Sequence, residues 1–181
     1  MKKLTRLGIV AIIMAMLVIL FSPKEGIAQT IPARVEAVYR ATALATEIPL
    51  RVPSLIPLTS PAAPTEYWAS SIAPSSGRYI ISFDRAEDCT NVEECSFALV
   101  RGELNADSSL SFQELSAQTR NETIFLSDGT PAVFSPSREG IYTPTSVFVQ
   151  VADYLYTFSI YMADKDDVLK MANSALQTYE E

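Results

Sequence analysis

The chain has 181 residues, of which 48% are hydrophobic and 19% charged, a composition typical of globular proteins and not of disordered or fibrous ones. Its formal net charge of −7 would repel a phosphate backbone, which argues against a nucleic-acid partner. The sequence contains no histidine, and this excludes a Ser-His-Asp catalytic triad.

Residues 1–28 have the organisation of a cleavable signal peptide. Three positive charges, on Lys2, Lys3 and Arg6, precede an uninterrupted apolar run over 8–21. A membrane-spanning helix needs about 20 apolar residues, and this run is shorter. The pattern therefore favours a cleaved leader over a retained membrane anchor.

Cleavage is predicted between Ala28 and Gln29, because Gly26 and Ala28 supply the small residues that signal peptidases require. The remaining chain, 29–181, is predicted to be a single β-rich envelope domain located in the periplasm or outside the cell. It would contact the membrane only through the leader, before cleavage. Removing the leader takes away four of the 14 basic and one of the 21 acidic residues, which leaves a domain more acidic still.

Two cysteines, Cys89 and Cys95, are predicted to form a disulfide, the default for such a pair in an oxidising compartment. The alternative is a metal site. Two thiolates without a histidine do not complete a tetrahedral zinc site, so the disulfide is favoured. No metal and no cofactor is predicted.

The first half of the domain predicts one helix followed by extended structure. A helix is expected over 30–46, with Pro32 in its first turn. Three prolines exclude a helix over 49–57, which should be an extended edge segment. Strands are then predicted from their β-branched and aromatic residues and the turn residues between them, over 67–72, 79–83 and 96–101.

The polar stretch 105–121 is interpreted as an exposed loop, anchored by apolar side chains at Leu110, Phe112 and Leu115. Two hairpins follow it. The Asp-Gly pair at 128–129 and the Ala-Asp pair at 152–153 are their expected turns. The strands that they join are predicted over 123–126, 132–134, 146–151 and 154–161.

A C-terminal helix is predicted to begin after Asp164, whose carboxylate can cap it. Its apolar stripe is Val168, Ala172, Ala175, Leu176 and Tyr179. The fold predicted is thus α+β: an antiparallel curved β-sheet of seven or eight strands with an N-terminal and a C-terminal helix.

The end of the chain resembles a known type of domain. An aromatic strand, Tyr154-Leu-Tyr-Thr-Phe-Ser-Ile160, precedes an acid-capped helix reading Asp167-Val-Leu-Lys-Met-Ala-Asn-Ser174. This ending is similar to an uncharacterised bacterial envelope domain that is also attached to some anti-sigma factors. The resemblance implies the curved sheet and helix of lipoprotein-carrier proteins, and a binding or sensing role in the envelope. It transfers no active-site residue.

Catalytic residues are not predicted. A Ser-Lys dyad would need Lys165 or Lys170, both of which lie on the polar side of the last helix. Acidic residues crowd the cysteine loop, where they form either a solvated surface, a docking site for a basic partner or a pair of hydrolytic carboxylates. These residues are Asp84, Glu87, Asp88, Glu93 and Glu94.

Aromatic residues offer a different kind of site. Most should fill the core, but Trp68, Tyr67, Tyr154 and Tyr156 are candidate binding residues if they line a cleft. The leading hypothesis is a non-enzymatic envelope protein that binds a protein, peptide or apolar ligand through its sheet. The alternatives are a secreted hydrolase using carboxylates, and an inhibitor or structural accessory subunit. Oligomeric state is left open.

Overall fold

The computed structural model of the protein describes residues 31–58, 64–89, 95–138 and 143–177. The predicted leader and its cleavage site lie outside these residues, as does the last residue of the predicted C-terminal stripe. Within the described ranges the chain forms one open antiparallel sheet and three helices. The predicted α+β class is confirmed.

Seven strands build the sheet in the described part of the chain. They are β1 (Trp68–Ser71), β2 (Arg78–Asp84), β3 (Ser96–Leu104), β4 (Glu122–Phe125), β5 (Pro131–Ser135), β6 (Thr145–Val151) and β7 (Tyr154–Ile160). Their spatial order is β1-β2-β3-β7-β6-β5-β4. Two meanders, β1 to β3 and β4 to β7, are thus joined where β7 pairs with β3. The sheet does not close on itself, as expected for a curved sheet.

Both predicted hairpin turns are present. Gly129 takes the left-handed conformation, with a φ of 85°, and the Asp128 carboxylate accepts a hydrogen bond of 2.8 Å from the Thr130 amide. This turn joins β4 to β5. Ala152 also has a positive φ, of 52°, in the short connection between β6 and β7. Positive φ values match the right-handed twist of the strands that such turns connect.

The first and last helices occur where they were predicted. The helix α1 covers Ala33–Ala45 and the final helix, here α3, covers Lys165–Leu176. Asp164 caps α3 as expected, since its Oδ1 accepts a hydrogen bond of 3.0 Å from the Asp167 amide. In its apolar stripe Val168, Ala172 and Ala175 are buried, whereas Leu176 is only half-buried. Met171, which the predicted stripe omitted, is fully buried.

The prediction that 105–121 is an exposed loop is wrong in part, because these residues contain a short helix, α2, over Phe112–Ala117. A capping box explains its start: the Ser111 amide donates to Glu114 Oε2 at 2.7 Å, and the Glu114 amide donates to Ser111 Oγ at 3.3 Å. These two bonds satisfy amides that a helix end leaves without partners. Of the three predicted anchors, Leu115 is buried and Phe112 half-buried, while the remaining leucine is exposed.

One face of the sheet, the core face, carries the main hydrophobic core. It is formed by alternate strand residues such as Tyr79, Val100 and Phe158, all fully buried. The helices α1 and α3 pack on this side. Burial of each such side chain contributes about 1.5–3 kcal/mol of transfer free energy. The core face therefore holds the fold together.

The segment 46–58 is extended, as the three prolines of 49–57 predicted, but it is not at a sheet edge: it joins no strand and lies on the core face. Tyrosine hydroxyls from the sheet bind its backbone. Tyr79 Oη accepts from the Arg51 amide at 3.0 Å, and Tyr156 Oη donates to the Pro49 carbonyl at 2.9 Å. Buried backbone groups need hydrogen-bond partners, and this segment obtains them from side chains because it joins no strand.

Candidate functional site

The second face of the sheet, the open face, carries the strand residues that alternate with the core residues. Ile80 of β2, Leu99 of β3 and Thr157 of β7 belong to it. The helix α2 packs on one part of this face, where Leu115 contacts the buried Val133 on β5. The same cluster includes Leu155 near the start of β7, and β2, β3 and the rest of β7 lie beyond it.

A groove of about 370 Å³ lies on the open face over β2, β3 and β7. Its size falls in the range of roughly 300–1,000 Å³ that is usual for small-molecule sites. Three of its residues are aliphatic, four carry a hydroxyl group and one is an arginine. They are Ile72, Ile80, Leu99, Ser96, Thr157, Ser159, Tyr161 and Arg101.

Strand register places the arginine beside the apolar part of the groove. Arg101 pairs with Ile80 on one side and Thr157 on the other. Leu99 lies two residues along the same strand, so its side chain is next to that of Arg101 on the same face. Leu99 in turn pairs with Ser159. The centre of the groove is thus a patch of apolar and hydroxyl groups with one cation at its side.

The serine hydroxyls of this region have hydrogen-bond partners within the sheet. The Ser159 and Ser146 Oγ atoms lie 2.8 Å apart, and the Ser96 hydroxyl donates to the Asp84 carboxylate at 2.8 Å. Covering a polar group is costly when its hydrogen bonds are lost. Since these hydroxyls are already paired, an apolar ligand could cover them at little cost.

Asp84 lies at one end of this region and is 2% exposed. Its carboxylate accepts hydrogen bonds from Ser70 on β1 at 2.9 Å and from Ser96 on β3 at 2.8 Å, and a third from Ser82 beside it. Three hydroxyl donors replace part of the water that the carboxylate loses on burial. The network ties three strands together at the point where the register of β2 and β3 shifts.

The buried carboxylates do not face one another. Asp84 and Arg78 are six residues apart on β2, and Glu103 is the strand partner of Arg78. At about 3.4 Å per residue, Asp84 and Glu103 are therefore about 20 Å apart along the strands. The third buried carboxylate, Asp167, belongs to α3. A hydrolase that uses paired carboxylates would need two of them across one cleft.

Two members of the predicted acidic cluster, Glu93 and Glu94, lie outside the described residues.

None of the four predicted binding aromatics lines the groove. Tyr67 and Tyr156 are 4% and 1% exposed, and Tyr154 lies beside Tyr156 with its ring 6.4 Å away. Trp68 is half-buried, with the Arg34 guanidinium 4.6 Å above its ring. Burial raises the pKa of the Tyr67 phenol, and the charge of Arg34 opposes part of that rise. Tyr67, Tyr154 and Tyr156 belong to the hydrophobic core, and a binding role for the four residues stays a prediction.

The predicted disulfide is confirmed. Cys89 and Cys95 are bonded, with their Cα atoms 5.4 Å apart. A disulfide is consistent with an oxidising, exported location.

The helices within the described ranges are too short or too polar to cross a membrane. The same ranges contain no group of three histidine, cysteine or acidic residues placed to hold a metal ion.

The fold and the groove together define the class: an α+β domain with an open antiparallel sheet and a mixed apolar and hydroxyl groove on its less covered face. The chain matches no known protein family, no curated protein and no solved structure. The resemblance to the envelope domain attached to some anti-sigma factors therefore stays a prediction.

Proposed function

We propose that the protein is a non-enzymatic binding protein, exported by a cleavable signal peptide to the periplasm or the extracellular space, and that its ligand is a small apolar molecule. The groove on the open face is the observation that carries this proposal. The confirmed disulfide supports export.

The composition of the groove favours an apolar ligand. Ile72, Ile80 and Leu99 offer aliphatic contact surface, and each is only half-buried in the protein alone. Burying apolar surface contributes about 25 cal/mol per Å², so covering these side chains favours binding.

The shape of the site favours a small molecule over a large protein partner. Ligand sites are typically concave and mostly apolar with a few placed polar groups, and the groove has this character. A protein partner with an interface of standard size would bury about 800 Å² on each side, a much larger area than one groove of this size offers.

The test is binding of an uncharged fluorescent apolar probe, N-phenyl-1-naphthylamine, to the exported protein. We expect saturable binding with one site per chain. Replacing Leu99→Asn removes an apolar contact at the centre of the groove and should weaken binding about tenfold or more. The matched control is Leu44→Asn on α1, because Leu44 is a leucine 91% exposed that lies outside the groove.

Equal binding by the parent and the Leu99→Asn variant would show that the probe does not occupy the groove. Loss of binding in the Leu44→Asn variant would point to a nonspecific surface site. Either result contradicts the proposal. The urea midpoint of Leu99→Asn should be measured beside its binding, so that loss of the fold is not taken for loss of the site.

A further inference from the structure

We propose that Arg101 makes the groove selective for a monocarboxylate with an apolar tail, the chemistry of a free fatty acid. The inference rests on the proposed function and adds the class of ligand. The inference depends on one observation: the half-exposed side chain of Arg101 lies beside the aliphatic residues of the groove, in the middle of the sheet.

The position of Arg101 is unusual for a surface arginine. It lies on β3, a central strand, between Ile80 and Thr157, which both line the groove. Its side chain is 42% exposed. Arginine usually extends its charged group into water along an apolar surface. Here that surface is the floor of a groove, so the charged group lies within reach of a ligand bound there.

The only ion pair that the structure gives Arg101, within the described residues, is a weak one. Its Nη1 lies 3.7 Å from Glu103 Oε1, a separation too long for a hydrogen bond. The planar guanidinium therefore keeps donors for a carboxylate, which it can bind through two parallel hydrogen bonds. Other side chains that line the groove are aliphatic or hydroxylated. One cation beside an apolar surface matches a ligand with one anionic group and an apolar tail.

Glu103 sets the strength of this interaction. Its side chain is 8% exposed and shares the open face with Arg101, so the two carboxylates, that of Glu103 and that of the ligand, would compete for one guanidinium. The protein carries 21 acidic and 14 basic residues, so its overall field does not attract an anion. Selectivity for a carboxylate must come from the local contact with Arg101.

The experiment compares three amphiphiles with the same alkyl chain, all below their micelle-forming concentrations. Dodecanoate, dodecanol and dodecyltrimethylammonium are titrated against the exported protein by displacement of N-phenyl-1-naphthylamine. We expect dodecanoate to bind at least about tenfold more tightly than the cationic amphiphile, because a charge-assisted hydrogen bond replaces a like-charge contact. The neutral alcohol should lie between them.

The variants separate a local contact from general charge. Arg101→Gln should weaken dodecanoate binding about tenfold or more, and should weaken it clearly more than it weakens binding of the uncharged probe. Arg40→Gln is the matched control: it removes the same charge from an exposed arginine on α1, outside the groove, and should change binding less than about twofold. Arg101→Lys should retain part of the preference. Glu103→Gln should bind dodecanoate at least as tightly as the parent, since a competitor is removed.

The outcomes are distinct. If the parent binds the neutral probe but shows no preference for dodecanoate, the ligand class is wrong and the proposed function stands. If Arg101→Gln and Arg40→Gln weaken dodecanoate binding equally, Arg101 has no specific role. If neither ligand binds the parent, the proposed function fails as well. Should Arg101→Gln not fold, Arg101→Met replaces it, and a dodecanoate affinity equal to that of the parent overturns the inference.

Discussion

Gly102, in the middle of β3, is the position where the smallest change should have the largest structural effect. It pairs with Tyr79 on β2 and Tyr156 on β7. A Cβ atom at Gly102 would lie 2.3 Å from Cε1, 2.6 Å from Cζ and 2.9 Å from Oη of Tyr79. Real Cβ atoms essentially never approach other atoms so closely. Gly102→Ala should therefore force the tyrosine ring or the strand to move.

The Tyr79 ring cannot move without loss. It is fully buried, and its hydroxyl accepts from the Arg51 amide at 3.0 Å and donates to the Arg51 carbonyl at 3.3 Å. Overpacking a core costs about 1–3 kcal/mol. Each lost hydrogen bond adds about 1 kcal/mol. Alanine in a strand recovers about 0.5–1 kcal/mol relative to glycine. The expected net cost of Gly102→Ala is thus about 2–4 kcal/mol.

Urea unfolding of the disulfide-intact protein measures this cost. With an m-value of about 2 kcal/mol/M, the midpoint should fall by about 1–2 M. Gly77→Ala is the matched control, because a Cβ there would be no closer than 3.5 Å to Asp107 Oδ2 and should change stability by less than about 0.5 kcal/mol. In a Tyr79→Leu background, Gly102→Ala should cost less, since the ring it would meet is gone. A parent-like midpoint for Gly102→Ala, or strictly additive costs in the double variant, would refute the reasoning.

Three further predictions follow from other contacts. Cys89→Ser combined with Cys95→Ser should cost about 2 kcal/mol in urea unfolding because the disulfide closes only a short loop, and thiol labelling of the denatured, unreduced parent should find no free thiol. Met171→Ala should lower the free energy of unfolding by about 2–5 kcal/mol, since this side chain is fully buried. Lys170→Ala, on the exposed side of the same helix, should lower it by less than about 0.5 kcal/mol. Hydrogen bonds from the backbone and hydroxyl of Ser111, the serine that caps α2, lower the pKa of Glu114 below 4.5. The ionised Glu114 carboxylate therefore contributes its full stabilisation above pH 4.5, and this contribution is lost as the pH falls through the pKa of Glu114 in the folded protein. A side-chain NMR titration that gives a pKa at or above 4.5 would contradict this.

The sheet could be predicted from the sequence because its strands alternate clearly between two environments. Tyr79, Ile81 and Phe83 are all fully buried and recur at every second position of β2. Such a period of two defines both the strand and the face that it buries. Turn residues at 128–129 and 152–153 then divide the second half into hairpins. These signals are local, which is why they can be recognised in one sequence.

The helix α2 and the groove were not predicted, for different reasons. The helix is too short for a helical period to be visible, although the capping pair Ser111 and Glu114 is a recognisable local signal. The groove has no local signal. Ile72, Leu99 and Tyr161 come from distant parts of the chain and meet only because β7 pairs with β3 instead of with another edge. Which strands become neighbours across the two meanders is not encoded in any single segment.

The strand β7 shows how the side chains of one strand divide between the core and the groove. Its core side carries Tyr156, Phe158 and Ile160, all buried, and its open side carries Thr157 and Ser159. Aromatic rings have the greatest apolar area, so most of them are buried in the core when the chain folds. A groove forms where side chains are too small to fill the surface above the sheet, and here these are hydroxyl residues. On the proposed function, the small polar residues between the aromatics of β7 mark the part of the strand over which the ligand lies.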